Sequence, residues 1–362
     1  MQKSMWENES FYAPKDIIIV GAGLVGLWCA YELKKKHPDK NILILEKGTT
    51  PSGASIRNAG FACFGSPTEL LYNINSLGEA AALSITEMRY KGIKKIRSLI
   101  GDNVISFDNN GGYECLHKSL HNIDELYDKC SYLNKAIQSI TGNAQTFSWS
   151  NEKLQAYGLS GFDAMLENKL EGGLHSGKLV QALKKLVENN GVEIITSITV
   201  TGWRQHTETI HVLTDNNATF SAQQLILCTN AFTGNLVDDI VTPGRGQIIV
   251  TAPIPNLLLN GTFHFDEGFY YFRNVGNRVL LGGARNKDID AETTTALDTS
   301  LNIQNELEHF LSEHILNGQP YAIENRWSGI MGFTQTKQPL IKEVEQNVHV
   351  VIACNGMGVA LS

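Results

Sequence analysis

Apolar positions along the chain follow two rhythms. Short unbroken runs of aliphatic and β-branched residues, at 17–20 and 42–45, have the length and composition of strands buried on both faces. Between them, residues 24–36 place apolar side chains at helical spacing and end on three lysines, where cations complement the helix dipole. The rhythm returns as a helix over 176–189 and a strand over 192–200, then as buried strands at 225–228 and 348–353. A strand is also expected at 162–170, and helices at 77–99, 122–140 and 153–159. The second rhythm is alternation about turn residues. It predicts hairpins at 105–116, around an Asn/Gly turn, and at 209–220, around Asp215 and Asn216. Residues 243–285 extend it into an antiparallel sheet rich in aromatics, with a turn at 275–277, before a helix over 301–316 and a strand over 321–330.

The strand and helix units come in three blocks, separated by two antiparallel segments. That order predicts a mixed α/β (α+β) fold. A discontinuous Rossmann-like nucleotide-binding domain would comprise residues 1–90, 165–237 and 328–362, with an antiparallel-sheet substrate domain of residues 91–164 and 238–327 inserted into it twice. A length of 362 residues agrees with two domains and a sizeable core.

Gly21, Gly23 and Gly26 stand directly after the first apolar run, where the first helix begins. In a strand, turn and helix unit the first glycine permits the tight turn, the second lets backbone approach a pyrophosphate, and the third lets helix pack on strand. The helix N-terminus then faces the phosphates. An acid about 20 residues further on accepts hydrogen bonds from ribose hydroxyls, and Glu46 closes the second run at that spacing. The motif implies a dinucleotide and leaves FAD and NAD(P) both open. The following loop offers small donors and one fixed cation in Ser52, Gly53, Ser55, Arg57, Asn58 and Gly60, suited to phosphates and the polar edge of a ring. Gly356 and Gly358, after the last apolar run, form a second glycine turn able to offer backbone N–H groups to an anion. The sequence ends at Ser362 with the helix after that turn barely begun, so continuation of the chain stays open.

Composition narrows the partners. Hydrophobic residues at 42% and charged residues at 19% are ordinary for a soluble globular protein. A net charge of -7 and a pI near 5.8 give no field that would attract nucleic acid or an anionic membrane. Residues 1–16 are polar and lack an apolar signal core, and no later segment is long enough to span a bilayer. The six cysteines form no C-x-x-C pair and fit free thiols in a reducing cytoplasm; together with the ten histidines they show no metal spacing. A cytoplasmic protein without a nucleic-acid partner or membrane span is expected, and a homo-oligomer stays open.

The opening unit and the GASIRNAG loop resemble the flavoprotein family of D-amino acid oxidase, glycine oxidase and sarcosine oxidase. Further pieces follow in that family's order: GGLHSGKLVQALKKLVENNGVEI, LILCTNAFT, PGRGQIIVTAP, YYFRNVGNRVLLGG, RWSGIMGFTQTKQPLI and VVIACNGMG, so the resemblance covers nearly the whole chain. It implies FAD, bound non-covalently, since no cysteine lies in 329–339, where some relatives tether the flavin. It implies that Gly21, Gly23 and Gly26 hold the pyrophosphate and Glu46 the ribose, and that Ser55, Arg57, Asn58 and Gly60 lie along the phosphates and flavin. Val200 would contact the adenine through its backbone. Thr229 would sit in a turn beside the cofactor, although Asn230 stands where the family usually has glycine. Gly356, Met357 and Gly358 would face the flavin pyrimidine edge. The activity implied is oxidation of a small amine or amino acid by hydride transfer to flavin N5, with oxygen or another acceptor reoxidising the flavin. Tyr270 falls where glycine oxidase-like members place a substrate-contacting tyrosine.

The chain also departs from that pattern. Met331 occupies the position of the family's carboxylate-binding arginine. Arg245, Arg273, Arg285 and Arg326 are the candidate substitutes, with Arg273 favoured. Leu280 stands where sarcosine oxidase-like members carry an oxygen-activating lysine, which leaves oxidase and dehydrogenase chemistry both open. His175 and His264, the histidines nearest these motifs, are expected to be structural. Two alternatives remain: oxidation of a 2-hydroxy acid, and a flavin-bearing subunit without turnover of its own.

Overall fold

A computed structural model describes residues 3–238, 241–334, 338–352 and 355–361. Its first large sheet runs in space Leu340–Glu345, Val348–Ile352, Thr219–Leu227, Lys15–Val20, Ile42–Leu45, Glu193–Ile195. From Val348–Ile352 to Glu193–Ile195 every neighbouring pair is parallel, and Thr209–Thr214 with Val200–His206 adds an antiparallel extension to Thr219–Leu227. Residue alternation explains why the central runs are apolar throughout. Ile17, Ile19, Ile42 and Ile44 pack with Leu27 of the Leu24–Lys36 helix and Leu179 and Leu183 of the Ser176–Asn189 helix. Ile18, Val20, Leu43 and Leu45 pack on the other face with Val200, Ile210 and Val212. Both faces are covered, as a parallel sheet requires.

The second large sheet has the order Ile323–Phe333, Thr242–Thr251, Arg278–Gly283, Tyr270–Val275, Thr262–Phe265, Gly112–Leu116, Ala164–Asn168, Phe147–Trp149. One face buries Phe263 and Phe272, their rings stacked 4.9 Å apart, together with Leu307 and Phe310 of the Leu301–Phe310 helix. The other face presents Ile248, Val250 and Leu280 to Ala59 and Phe61, which belong to the loop after the opening unit. The sheets therefore take their strands from alternating stretches of chain. The boundaries expected at 165 and 328 fall inside Ala164–Asn168 and Ile323–Phe333, which both belong wholly to the second sheet.

Other expectations shift for local reasons. The 105–116 hairpin does not form: Asp102–Ile105 is a helical turn, and Gly112–Leu116 pairs instead with the distant Thr262–Phe265 and Ala164–Asn168. Two long-range neighbours outweigh one local turn signal. The helix expected at 77–99 forms as Glu79–Ile100, starting after Gly78, whose φ of 84° separates it from a preceding helix, Pro67–Leu77. The strand at 192–200 breaks into Glu193–Ile195 and Val200–His206 around Ser197, whose φ is 62°. The helix at 301–316 ends in a π turn over Leu311–Ile315. Ala353 and Cys354 lie outside the described residues; Cys29, Cys63, Cys115, Cys130 and Cys228 are free thiols. Among the described residues no helix is long and apolar enough to cross a membrane.

Candidate cofactor and substrate cavity

A cavity of about 1000 Å³ opens between the two large sheets, at the large end of the range for small-molecule sites. Its first wall is the opening unit. Gly21 turns the chain with φ of 105°, and a Cβ there would lie 2.7 Å from the Cys228 carbonyl. A Cβ on Gly26 would lie 2.0 Å from the Gly21 carbonyl, so only glycine lets the helix approach the strand this closely. Glu46, at the end of its strand, is buried and accepts from Ala22 N at 2.8 Å and Gly48 N at 2.9 Å. Its backbone also accepts from Ile198 N at 3.0 Å, which brings the Thr199 and Val200 segment to the same end of the cavity. Ser55 Oγ accepts from Leu24 N at 2.9 Å, standing over the start of the helix.

The middle of the cavity is walled by the 53–60 loop. Arg57 donates through Nε to Ser52 O at 2.9 Å and through Nη1 to Ser328 O at 3.0 Å, tying the loop to the second sheet. Asn58 is a brace for the loop: its Oδ1 accepts from Gly60 N at 2.8 Å and Ser176 Oγ at 2.6 Å, and its Nδ2 donates to Ala54 O and Ser55 O. Gly60, with φ of 73°, lies behind this wall, where its carbonyl accepts from Arg273. Thr229 shares a hydrogen bond with Thr233 at 2.8 Å. Asn230, in place of glycine, takes a left-handed φ of 49° and holds Ile330 O through Nδ2; asparagine tolerates that conformation. At the far end Gly356, Met357 and Gly358 line the cavity, anchored by Asn355, whose N–H donates to Gly332 O at 3.0 Å.

The second sheet closes the cavity, and here the two residues expected to act on substrate are displaced. Tyr270 faces the opposite core: its hydroxyl donates to Glu306 at 2.5 Å and its ring stacks on Phe310 at 4.4 Å. Burial and the Glu306 carboxylate push its pKa far up. Alternation along the strand turns its neighbour Tyr271 to the cavity instead. Arg273 is buried away from the cavity as a pin between loops, donating to Gly60 O at 2.7 Å, Leu174 O at 3.0 Å and Asp108 Oδ2 at 3.1 Å. Arg245 is paired with Glu292 and Asp298, and Arg326 with Gln304 and Glu308. Of the four arginines, Arg285 alone lines the cavity, its guanidinium 4.7 Å from the Phe333 ring centre, near Met331. A sequence signal for Tyr271 existed in Gly282, which pairs with it across the sheet: a Cβ on Gly282 would lie 2.4 Å from the Tyr271 ring.

His264 also lines the cavity, edge-on to Phe61 at 5.0 Å, and burial pushes its pKa down to about 4, so the imidazole is neutral near pH 7. His175 is exposed and caps the Ser176–Asn189 helix, accepting from Lys178 N at 3.2 Å. Behind His264 lies a group of acids the sequence did not bring together. Glu69 pairs with Arg89 at 2.8 Å on the cavity wall. Glu114 accepts from Ser66 Oγ at 2.7 Å and from the Thr68 hydroxyl, and burial pushes it up to about 7. Glu171 accepts from Phe64 N at 2.8 Å, and burial pushes it up to about 8. Among the described residues no group of three or more His, Cys, Asp or Glu is placed to hold a metal ion.

Comparison with known proteins adds to this geometry. Residues 16–362 match the model of the DAO family, described as FAD dependent oxidoreductase. The chain is 23% identical over 361 residues to "Probable oxidoreductase OrdL" of Rhizobium meliloti (strain 1021), covering 96% of this chain and 80% of that protein. It is 23% identical over 256 residues to L-2-hydroxyglutarate dehydrogenase of Escherichia coli (strain K12), covering 68% of this chain and 56% of that protein. Among solved structures, glycine oxidase from Geobacillus kaustophilus superposes with a TM-score of 0.70 at 21% identity, over 96% of this chain and 92% of that one.

Proposed function

The chain belongs to the DAO family of FAD-dependent oxidoreductases, and from that premise we propose that it oxidises a small amine or amino acid at a CH–NH or CH–NH2 bond, in the cavity between its two large sheets. When bound, FAD supplies the hydride acceptor. The residues of the first wall fit such a group. The glycine turn keeps Cβ atoms away from the start of the helix, and each Glu46 oxygen, holding one backbone N–H, keeps a second lone pair for a ribose hydroxyl. Ser55, Arg57, Val200, Thr229 and the 356–358 turn would complete the cradle. The association is non-covalent on this reading, so acid precipitation should release all flavin colour into the supernatant.

The amine reading is supported by three uncharged side chains at the substrate end, although Arg285 and the Glu69–Arg89 pair also line the cavity. Phe61, Tyr271 and a His264 held neutral by burial surround that end. A low-dielectric wall disfavours an ammonium ion and favours the neutral amine, the form from which hydride can leave. A second reading, oxidation of a 2-hydroxy acid, is supported by the similarity to L-2-hydroxyglutarate dehydrogenase. Anaerobic mixing of the FAD-loaded protein with D-amino acids, N-methyl amines, polyamines, glycated amines and 2-hydroxy acids separates the two. Bleaching of the flavin band by an amine is the expected result. Bleaching by hydroxy acids alone overturns the amine reading, and inability to take up FAD overturns both. Oxygen consumption compared with dye reduction then identifies the acceptor, a choice that Leu280, packed among Ile248 and Val250, leaves to experiment.

A further inference from the structure

Cys29 and Cys228 come from separate elements and meet beside the glycine turn. Cys29 lies on the Leu24–Lys36 helix and is half-buried; Cys228 directly follows the Thr219–Leu227 strand and is buried. Both pack in the core under that helix, and their thiols are hydrogen-bonded to each other. The other described cysteines have different neighbours: Cys63 faces the Met357 sulfur, Cys115 the Met165 sulfur, and Cys130 the Phe147 carbonyl. Hydrogen bonding from Cys228 holds the Cys29 thiol below its ordinary range, whereas the bond to Cys29 and burial push Cys228 up. Cys29 is therefore the sulfur that ionises first, and the thiolate is the form that attacks an oxidant.

The pair touches the cofactor wall. Cys228 lines the cavity, its N–H donates to Val20 O at 2.9 Å, and a Cβ on Gly21 would lie 2.7 Å from its carbonyl oxygen. The helix has no slack against the same turn, since a Cβ on Gly26 would lie 2.0 Å from the Gly21 carbonyl. A disulfide draws two sulfurs from hydrogen-bond contact to about 2.05 Å. Any approach of the strand end and the helix is thus transmitted to the glycine turn, which touches both.

We propose that Cys29 and Cys228 are a peroxide-sensitive dithiol that closes to a disulfide beside the glycine turn and loosens the hold on FAD. The bridge itself stands on the thiol pair alone; its effect on the cofactor rests on the reading that FAD lies against this turn. The Cys29 thiolate attacks hydrogen peroxide, its sulfur takes one oxygen as the O–O bond breaks, and the other oxygen leaves as hydroxide, which takes up the proton Cys29 gave and becomes water. The Cys228 sulfur then attacks the resulting sulfenic acid at the Cys29 sulfur: the S–S bond forms, the S–O bond breaks, and the hydroxyl leaves as water with the Cys228 proton. Two thiols and one peroxide give one disulfide and two waters, the thiols losing the two electrons that the O–O bond takes. A thiol reductant reverses the step.

The test treats the FAD-loaded protein with hydrogen peroxide in small excess, blocks the remaining thiols, and locates linked cysteines by a non-reducing peptide map in the mass spectrometer. The expected link joins the Cys29 and Cys228 peptides, weighs two hydrogens less than the separate peptides, and is lost on treatment with dithiothreitol. Ultrafiltration should show the FAD Kd about 10-fold higher in the oxidised protein and restored on reduction. Cys29→Ala should form no such link and keep its FAD Kd under peroxide, while Cys130→Ala should behave as the unaltered protein does. FAD uptake before oxidation shows that each variant is folded, and Cys29→Ser replaces Cys29→Ala if the latter does not fold. Sulfinic acid without a link, a link from either residue to a different cysteine, or an unchanged FAD Kd in the linked protein each overturns the proposal. If the protein takes up no FAD, the cofactor reading fails, and the peptide map, which needs no flavin, still decides the bridge.

Discussion

Tyr270 and Tyr271 are adjacent and chemically identical, yet one is packing and the other is cavity wall. Period-two alternation in a strand guarantees that one of them faces the cavity. Choosing between them needs the register against Gly282 and Gly283, and that is set by pairing across the sheet, which a single sequence does not display. The same limit applies to arginines. Arg273 stands in an aromatic strand and looks like a substrate contact, but its donors are spent on Gly60 O, Leu174 O and Asp108. Arg273→Gln should therefore cost about 2–4 kcal/mol of stability, because two buried carbonyls lose a charged donor. Tyr270→Phe should cost about 1 kcal/mol, the worth of one hydrogen bond. In both variants the rate of flavin bleaching per FAD-loaded molecule should stay within a factor of two or so of the unaltered protein, since neither side chain lines the cavity. Urea melts read the first effect and anaerobic stopped-flow the second. A tenfold slower bleaching in either variant would return that residue to the chemistry.

At the scale of elements, legibility followed burial. The runs at 17–20 and 42–45 could be recognised because a strand covered on both faces must be apolar throughout, whatever its neighbours. Residues 105–116 could not, because Gly112–Leu116 is held by strands about 50 and 150 residues away rather than by its own turn. That strand also carries Glu114 beneath the 61–69 segment, where Glu171 joins it. Both acids have folded pKa values raised by burial, to about 7 and about 8, above the ordinary 4.5. The folded state therefore binds more protons than the unfolded state between about pH 4.5 and 8, and stability must fall as pH rises through that window. His264 acts in the opposite sense, its pKa lowered to about 4 from 6.5, so its contribution grows as pH rises and is complete by about pH 6.5. Between pH 6.5 and 8 the acids are opposed only by the tail of the histidine titrations, His264 and His121 both being lowered by burial. The melting temperature should drop across that interval, and Glu171→Gln should flatten the drop, because glutamine can accept the Phe64 N–H without a charge to bury. A thermal melt series at fixed ionic strength measures it. A flat profile in the unaltered protein would mean that these carboxyls do not titrate there.

For the whole molecule, the chain passes repeatedly between the two large sheets, and the cavity takes walls from both. Gly21, Glu46 and Val200 belong to the first sheet or its margins, and Gly246, Tyr271 and Met331 to the second. The strand Ile323–Phe333 ties them further, since Ser328 O accepts from Arg57, Ile330 O from Asn230, and Gly332 O from Asn355. A group filling this space touches both cores at once, so neither sheet can unfold while the other keeps the cofactor. Binding to the folded state alone adds RT ln(1 + [L]/Kd), about 2.7 kcal/mol with free FAD at 100 times its Kd. Stripping FAD with concentrated bromide should accordingly lower the melting temperature by several degrees, and adding it back should restore the value in proportion to the logarithm of its concentration. In the loaded protein, release of flavin fluorescence and loss of far-UV circular dichroism should coincide in one transition. Flavin released well below the unfolding transition would show instead that the second sheet opens away from the first without unfolding, and that the Arg57, Asn230 and Asn355 ties do not hold the two walls together.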